Sequence, residues 1–223
     1  MSADLERAWE VESLRLCDRY VEEVVLAFDL CPWAEPALRA GRVGRAVCLS
    51  PNPIPADCLP FIDDLRRQDG RQDGRQDGRQ DGPQEIGLLI FPRHSGSRSA
   101  FDSFAERVRR AMAPGDAGCD SSGSRAGSSP RFLVAAFHPD GAQTFVGPHQ
   151  LVSFLRRTPD PLLQFVLSSV IDRVKQSQPD ASESVARRNH QALLGARAAA
   201  LDEVTRAIQA DREATHARLT RAD

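Results

Sequence analysis

Between Leu5 and Phe28 the apolar residues Leu5, Trp9, Leu16, Tyr20, Val21, Val24, Val25 and Phe28 recur mostly at steps of three and four. That spacing marks one face of a helix and predicts a long amphipathic segment closed by Pro32. The pattern then changes period. Residues 42–50, RVGRAVCLS, mix β-branched positions with alternating charge and predict a strand. Residues 55–67, PADCLPFIDDLRR, predict a helix that Pro60 interrupts or confines to a short first turn. The continuous apolar run EIGLLIFPR (85–93), ended by proline, reads as a central strand buried on both faces. A helix follows over 99–114, with Phe101, Phe104, Ala105, Val108 and Met112 on one side, and RFLVAAFHPDG (131–141) is a third strand. The remainder predicts helices at 147–157, 160–177 and about 182–219. The last carries Val185, Leu194, Leu201, Val204 and Ile208 among many charges, a face that docks on this domain or on a partner.

Strands separated by helices define an α/β fold, a small sheet of about three to four strands covered by helices, with a helical C-terminal third. Crossover helices allow parallel pairing without requiring it. Two polar stretches interrupt this order. Residues 67–82 repeat RQDG four times without one apolar side chain, and 115–130 are rich in Gly and Ser. Neither can bury enough surface to offset the entropy of ordering it. The organisation expected is therefore one α/β domain over 1–223, with disordered insertions at 67–84 and 115–130 and a C-terminal amphipathic helix over 182–223.

Composition narrows the function classes. With 29 Lys plus Arg against 31 Asp plus Glu, the formal charge of −2 provides no global field toward nucleic acid or an anionic membrane. No run approaches the length of a bilayer span, and MSADLERAWEVE is acidic where a signal peptide would be basic, so the expectation is a cytoplasmic protein. Five cysteines, irregularly spaced and without a CxxC pair, argue for reduced thiols and against a disulfide framework or a structural zinc site. The histidines at 94, 138, 149, 190 and 216 show no metal-ligand spacing, so no metal site is expected and no cofactor is named.

Chemistry is concentrated at element ends. Cys31, beside Pro32 and Trp33, follows the first helix, whose C-terminal partial charge would raise the thiol pKa. It reads as a small buried hydrophobe, as a reactive thiol, or, through the Cys-Pro pair, as a haem thiolate ligand. His138 directly ends an apolar strand, where α/β sheets commonly bind ligands; it is either a base, acid or ligand contact, or a cap on the strand end. His94 has a similar but weaker position. In RRTPDP (156–161), Arg156 or Arg157 could meet an anion, or Thr158 or Asp160 could cap a following helix with Pro161 in its first turn.

The segments LCPWA (30–34), AAFHP (135–139), RTPDPLLQFV (157–166) and RRN (187–189) resemble, in order, the bacterial family catalogued as domain of unknown function 1415. The resemblance spans roughly residues 10–195 and points to Cys31, Pro32, His138, Pro139, Arg157, Pro159, Pro161 and Asn189 as its motif positions. Since the family has no assigned activity, the resemblance implies no reaction. Gln164 stands where many relatives carry a histidine, and Leu167 and Ser168 replace a charged Arg-Glu pair; a proton-transfer step using those groups would be lost or changed in this chain.

Two readings follow. In one, Cys31, His138 and Arg157 form the catalytic cleft of a small-molecule enzyme, with Arg156, Asn189 and His94 as ligand contacts. In the other, the chain is a non-catalytic module that holds a small anionic ligand or docks a partner, including a second copy through the C-terminal helix. A thiol or haem sensor through Cys31 and Pro32 is a third use of the same cysteine.

Overall fold

Four strands, Val43–Val47 (β1), Ile86–Ile90 (β2), Phe132–Phe137 (β3) and Leu162–Leu167 (β4), form one sheet in the order β1-β2-β4-β3. The structure is a computed structural model that describes residues 1–69, 84–112, 132–141, 148–177, 180–193 and 196–222. Most of the RQDG repeat, the 115–130 connection and Cys119 lie outside the described residues. Only β1 and β2 run parallel; β4 is antiparallel to both β2 and β3. The sheet is therefore mixed.

Strand β4 corrects the expected helix over 160–177. Leu162–Leu167 form a central strand, and the helix begins only at Ser168 and runs to Ser177 (α6 below). An apolar run this short carries no decisive period, and the helical segment fused to its end extended the wrong reading backwards. No helix starts at RRTPDP, so Thr158 and Asp160 are not helix caps. Thr158 donates instead to the carbonyl of Asp160 at 2.7 Å, and the turn enters β4 through Pro161.

Alternation along the strands sorts the sheet into two faces. On one, Leu89, Phe91, Leu163 and Phe165 meet the helices Pro55–Asp69 (α3) and Arg98–Met112 (α4) through Ile62, Leu65, Phe101, Phe104 and Val108. A Cβ at Gly87 would stand 2.5 Å from Leu65 Cδ1, so glycine there lets α3 lie close on the sheet. Pro60 does not stop α3, which continues through it and takes in Arg67–Asp69 of the repeat.

On the opposite face Leu88, Ile90 and Leu162 pack with Cys17 of the first helix, Ala3–Tyr20 (α1). A short helix, Ala34–Arg39 (α2), lies between that segment and β1. Behind α1, a further cluster joins Leu16 and Tyr20 to Leu151 and Phe154 of Pro148–Leu155 (α5) and to Leu201 and Ile208. The expected single C-terminal helix is two, Ala181–Ala192 (α7) and Ala196–Arg221 (α8). The apolar face of α8 docks on this same domain, where Asp211 pairs with Arg15 and Arg19 of α1 and Arg218 pairs with Glu12. A homodimer through α8 would have to use its outer, charged side.

Candidate ligand cavity

The first helix does not end at Pro32. After Tyr20 it widens into a π-helical turn, Val21–Leu26, in which the Ala27 N–H donates to the Glu22 carbonyl at 3.1 Å. The chain then closes in a Schellman motif. Asp29 takes a left-handed φ of 52°, its N–H reaches the Leu26 carbonyl at 3.0 Å, and the Leu30 N–H reaches the Val25 carbonyl at 2.9 Å. Three side chains from the C-terminal helices hold the exposed carbonyls of this end. Arg197 donates to Phe28, Arg188 to Asp29 and buried Asn189 to Leu30, the last at 2.7 Å. Asn189 is thus a clamp on the turn that delivers Cys31.

Beyond that clamp the widened turn and the sheet do not close on each other. They leave a cavity of about 260 Å³. Its floor is the α1 side of the sheet, with Val43, Ile86, Leu88, Phe137, Leu162 and Gln164; its roof is Cys17, Tyr20, Val21 and Val25. Leu30, Cys31, Ala34 and Leu38 form one wall, and Val152, Leu155 and Arg156 the other. The lining is mostly aliphatic and aromatic, with few polar groups, the usual build of a small-molecule site.

Those polar groups differ in what they can do. Tyr20 is committed, donating its hydroxyl to the Leu155 carbonyl at 2.6 Å. Burial pushes the Cys17 thiol up to about 12, so it stays protonated. Cys31 is also raised above the ordinary cysteine value, first by burial; the Trp33 and Ala34 N–H groups and the Arg188 charge oppose this, while Asp29 adds to it. Burial, rather than the helix-end charge expected from the sequence, is the main cause. Arg156 is half-buried, with its guanidinium 5.3 Å from the centre of the Phe137 ring. Among the described residues it has no carboxylate partner and no side-chain hydrogen bond. Burial lowers its pKa, Arg98 and Arg109 add to that effect, and Tyr20 and Asp102 oppose it. Gln164 presents its amide from the central strand, also without a side-chain hydrogen bond among the described residues.

Of the candidate site residues named from the sequence, the structure brings Cys31 and Arg156 to this cavity, together with Gln164, which the family resemblance marks only as a departure from a histidine, and it places the others elsewhere. His138 follows Phe137, and alternation turns it to the opposite face, where its ring lies 5.9 Å from that of Phe101. The Asp140 N–H donates to Nδ1 at 3.1 Å, so Nε2 carries the proton and donates to the Gly96 carbonyl at 3.2 Å. Burial lowers the His138 pKa and keeps the ring neutral. His94 stacks near the same Phe101 ring, at 5.3 Å. Arg157 is buried over the Phe154 ring at 4.0 Å, donates to the Phe154 carbonyl and pairs with Asp202 of α8 at 3.0 Å. It ties α5 to α8. Cys17, Tyr20 and Gln164 were not read as site residues; alternation in PLLQFVL would have put Gln164 on one face with Leu162, had the segment been read as a strand.

Fold and cavity together define an α/β protein with a mixed four-stranded sheet and a mostly apolar pocket on its α1 side. The chain belongs to the family described as "Protein of unknown function (DUF1415)", whose model matches residues 12–203. No curated protein and no solved structure matches it. Among the described residues no helix is long and apolar enough to cross a membrane, and no group of His, Cys, Asp and Glu is arranged to hold a metal ion.

Proposed function

We propose that this protein binds a small apolar carboxylic acid in the cavity beneath α1, with Arg156 receiving the acid group. The observation that carries this reading is a half-buried guanidinium at the wall of an apolar pocket with no carboxylate partner among the described residues. A desolvated cation without a counter-ion is unfavourable, and a ligand carboxylate would supply both charge and hydrogen-bond acceptors. The lining would take the hydrocarbon body of the acid.

A binding role is preferred to a catalytic one because the thiol in the cavity is held protonated and His138 is turned to the other face of the sheet. The free thiols Cys17, Cys31, Cys48 and Cys58 fit a reducing compartment, and the protein is assigned to the cytoplasm on that ground. Calorimetric titration with octanoate, 3-phenylpropanoate and the uncharged 3-phenylpropanamide tests the reading. Arg156→Met should weaken binding of the acids by about tenfold to a hundredfold, the worth of a charged hydrogen bond, and leave the amide unchanged. Absence of acid binding, or acid binding indifferent to Arg156, would overturn it.

A further inference from the structure

Gln164 is the one polar side chain on the sheet floor of the cavity among the described residues. Its neighbours on that face are apolar: Leu162 precedes it by two positions along β4, and Leu88 and Ala135 are its cross-strand partners. Nothing in the packing asks for an amide there. A leucine or methionine would fill the position on a central strand equally well, and the amide makes no side-chain hydrogen bond among the described residues. An amide offers two donors and an acceptor, and this half-buried one at a mostly apolar lining is free to make them to a ligand.

The register fixes where that partner must lie. Phe137, covered by the Arg156 guanidinium, pairs with Leu162, while Ala135 pairs with Gln164. Gln164 therefore stands two residues along the strand from the Phe137–Leu162 pair, about 7 Å at the backbone. One ligand could meet both groups if its acid and a second polar function were separated by about that distance. An aliphatic or aromatic body between them would lie along the floor.

We propose that Gln164 is the specificity-determining residue of the cavity and selects acids that carry a neutral hydroxyl or carbonyl group at the end remote from the carboxylate. This rests on the acid-binding reading above. The class is that of remote hydroxy or oxo acids, in which the charge goes to Arg156 and the neutral group to the Gln164 amide.

The test compares 3-(4-hydroxyphenyl)propanoate with 3-phenylpropanoate, two acids of the same shape that differ by one hydroxyl, in calorimetric titrations of the full chain. Wild-type protein should prefer the hydroxylated acid by about tenfold, since a polar group left without its partner is penalised. Gln164→Leu and the more flexible Gln164→Met should each remove the preference by weakening only the hydroxylated acid, with 3-phenylpropanoate held within about twofold. Thermal melts accompany both variants, and the wild-type preference stands as a test independent of either. If both acids bind through Arg156 but with equal affinity, or if the variants keep the preference, the Gln164 inference falls and the acid site survives. If neither acid binds the wild-type protein, the cavity reading falls and takes this inference with it.

Discussion

The two faces of the sheet are built from the same four strands and differ in what covers them. On the α3/α4 face, Phe91, Phe101, Phe104 and Phe165 are essentially inaccessible; the Phe91 ring meets Phe101 at 5.5 Å and Phe104 at 5.4 Å edge to face, and Phe165 meets Phe61 and Phe132 in the same way. On the α1 face, a helix that widens into a π turn and then reverses in a Schellman motif leaves a gap, lined by an arginine, a glutamine and two thiols among apolar side chains. One side is closed by aromatic packing and the other holds a cavity. The difference follows from the covering elements, because alternation along each strand supplies apolar residues to both faces.

The sharpest break of this comparison is truncation on each side. Phe165→Ala removes a ring from the closed face and should cost about 3–5 kcal/mol in urea unfolding, whereas Leu88→Ala enlarges a space that already exists and should fall near 2 kcal/mol. Equal losses would mean that the faces are equally packed. Next in size is the clamp on the Cys31 turn. Asn189→Ala leaves the buried Leu30 carbonyl without its donor and should cost about 1–3 kcal/mol. The same variant should speed alkylation of Cys31 in the native protein, while His138→Ala should leave the pH profile of that alkylation unchanged, since the two residues belong to opposite faces. A profile that follows His138 would unite them in one site and restore the catalytic reading.

A smaller effect separates the faces by pH. The folded state holds His138 neutral, with its pKa lowered from 6.5 by burial, so the protonated ring is favoured only in the unfolded chain. The stability contributed by the neutral ring is complete above the unfolded value and is lost as pH falls through the folded one. Wild-type and His138→Gln stabilities, compared between pH 8 and pH 5, should therefore converge as the solution is acidified. A constant difference across that range would remove the role given to the neutral tautomer.

Strands β1, β2 and β3 and the helices α1 and α4 are legible in the sequence because the helices keep a period of 3.6 residues and β2 a continuous apolar run, whereas Pro60 wrongly suggests a break in α3. Strand β4 is not. PLLQFVL runs without a turn into SSVIDRVKQS, and the pair reads as one helix although only its second part is helical. Gln164 is therefore marked in the sequence only as a departure from the family's histidine, and its place on the sheet floor follows only once the segment is a strand. Cys31 and Arg156 could be picked out from their local sequence, but that they share a cavity depends on the Schellman reversal and the β3–β4 register, both set by distant contacts. The RRN segment shows the converse. The sequence offers Asn189 as a ligand contact, and in the structure Arg188 and Asn189 hold the carbonyls of a helix end. Short motifs of polar residues record that something is bound without recording whether it is a ligand or the chain itself.

The smallest expected effect is also the one with an unusual sign. Most truncations and replacements in a buried sheet destabilise, yet Gln164→Leu should raise stability by about 0.5–1 kcal/mol, because it removes an amide that has no hydrogen-bond partner among the described residues and extends the apolar floor between Leu162 and Val166. The leucine keeps the β4 ladder to Leu88 and Ala135, so the gain should be visible in equilibrium unfolding without a change in the slope against denaturant. A polar residue at a position where an apolar one is more stable is the kind of stability cost that function can carry. If Gln164→Leu instead costs stability, the amide supports the fold, and the two faces of the sheet differ less than their coverings suggest.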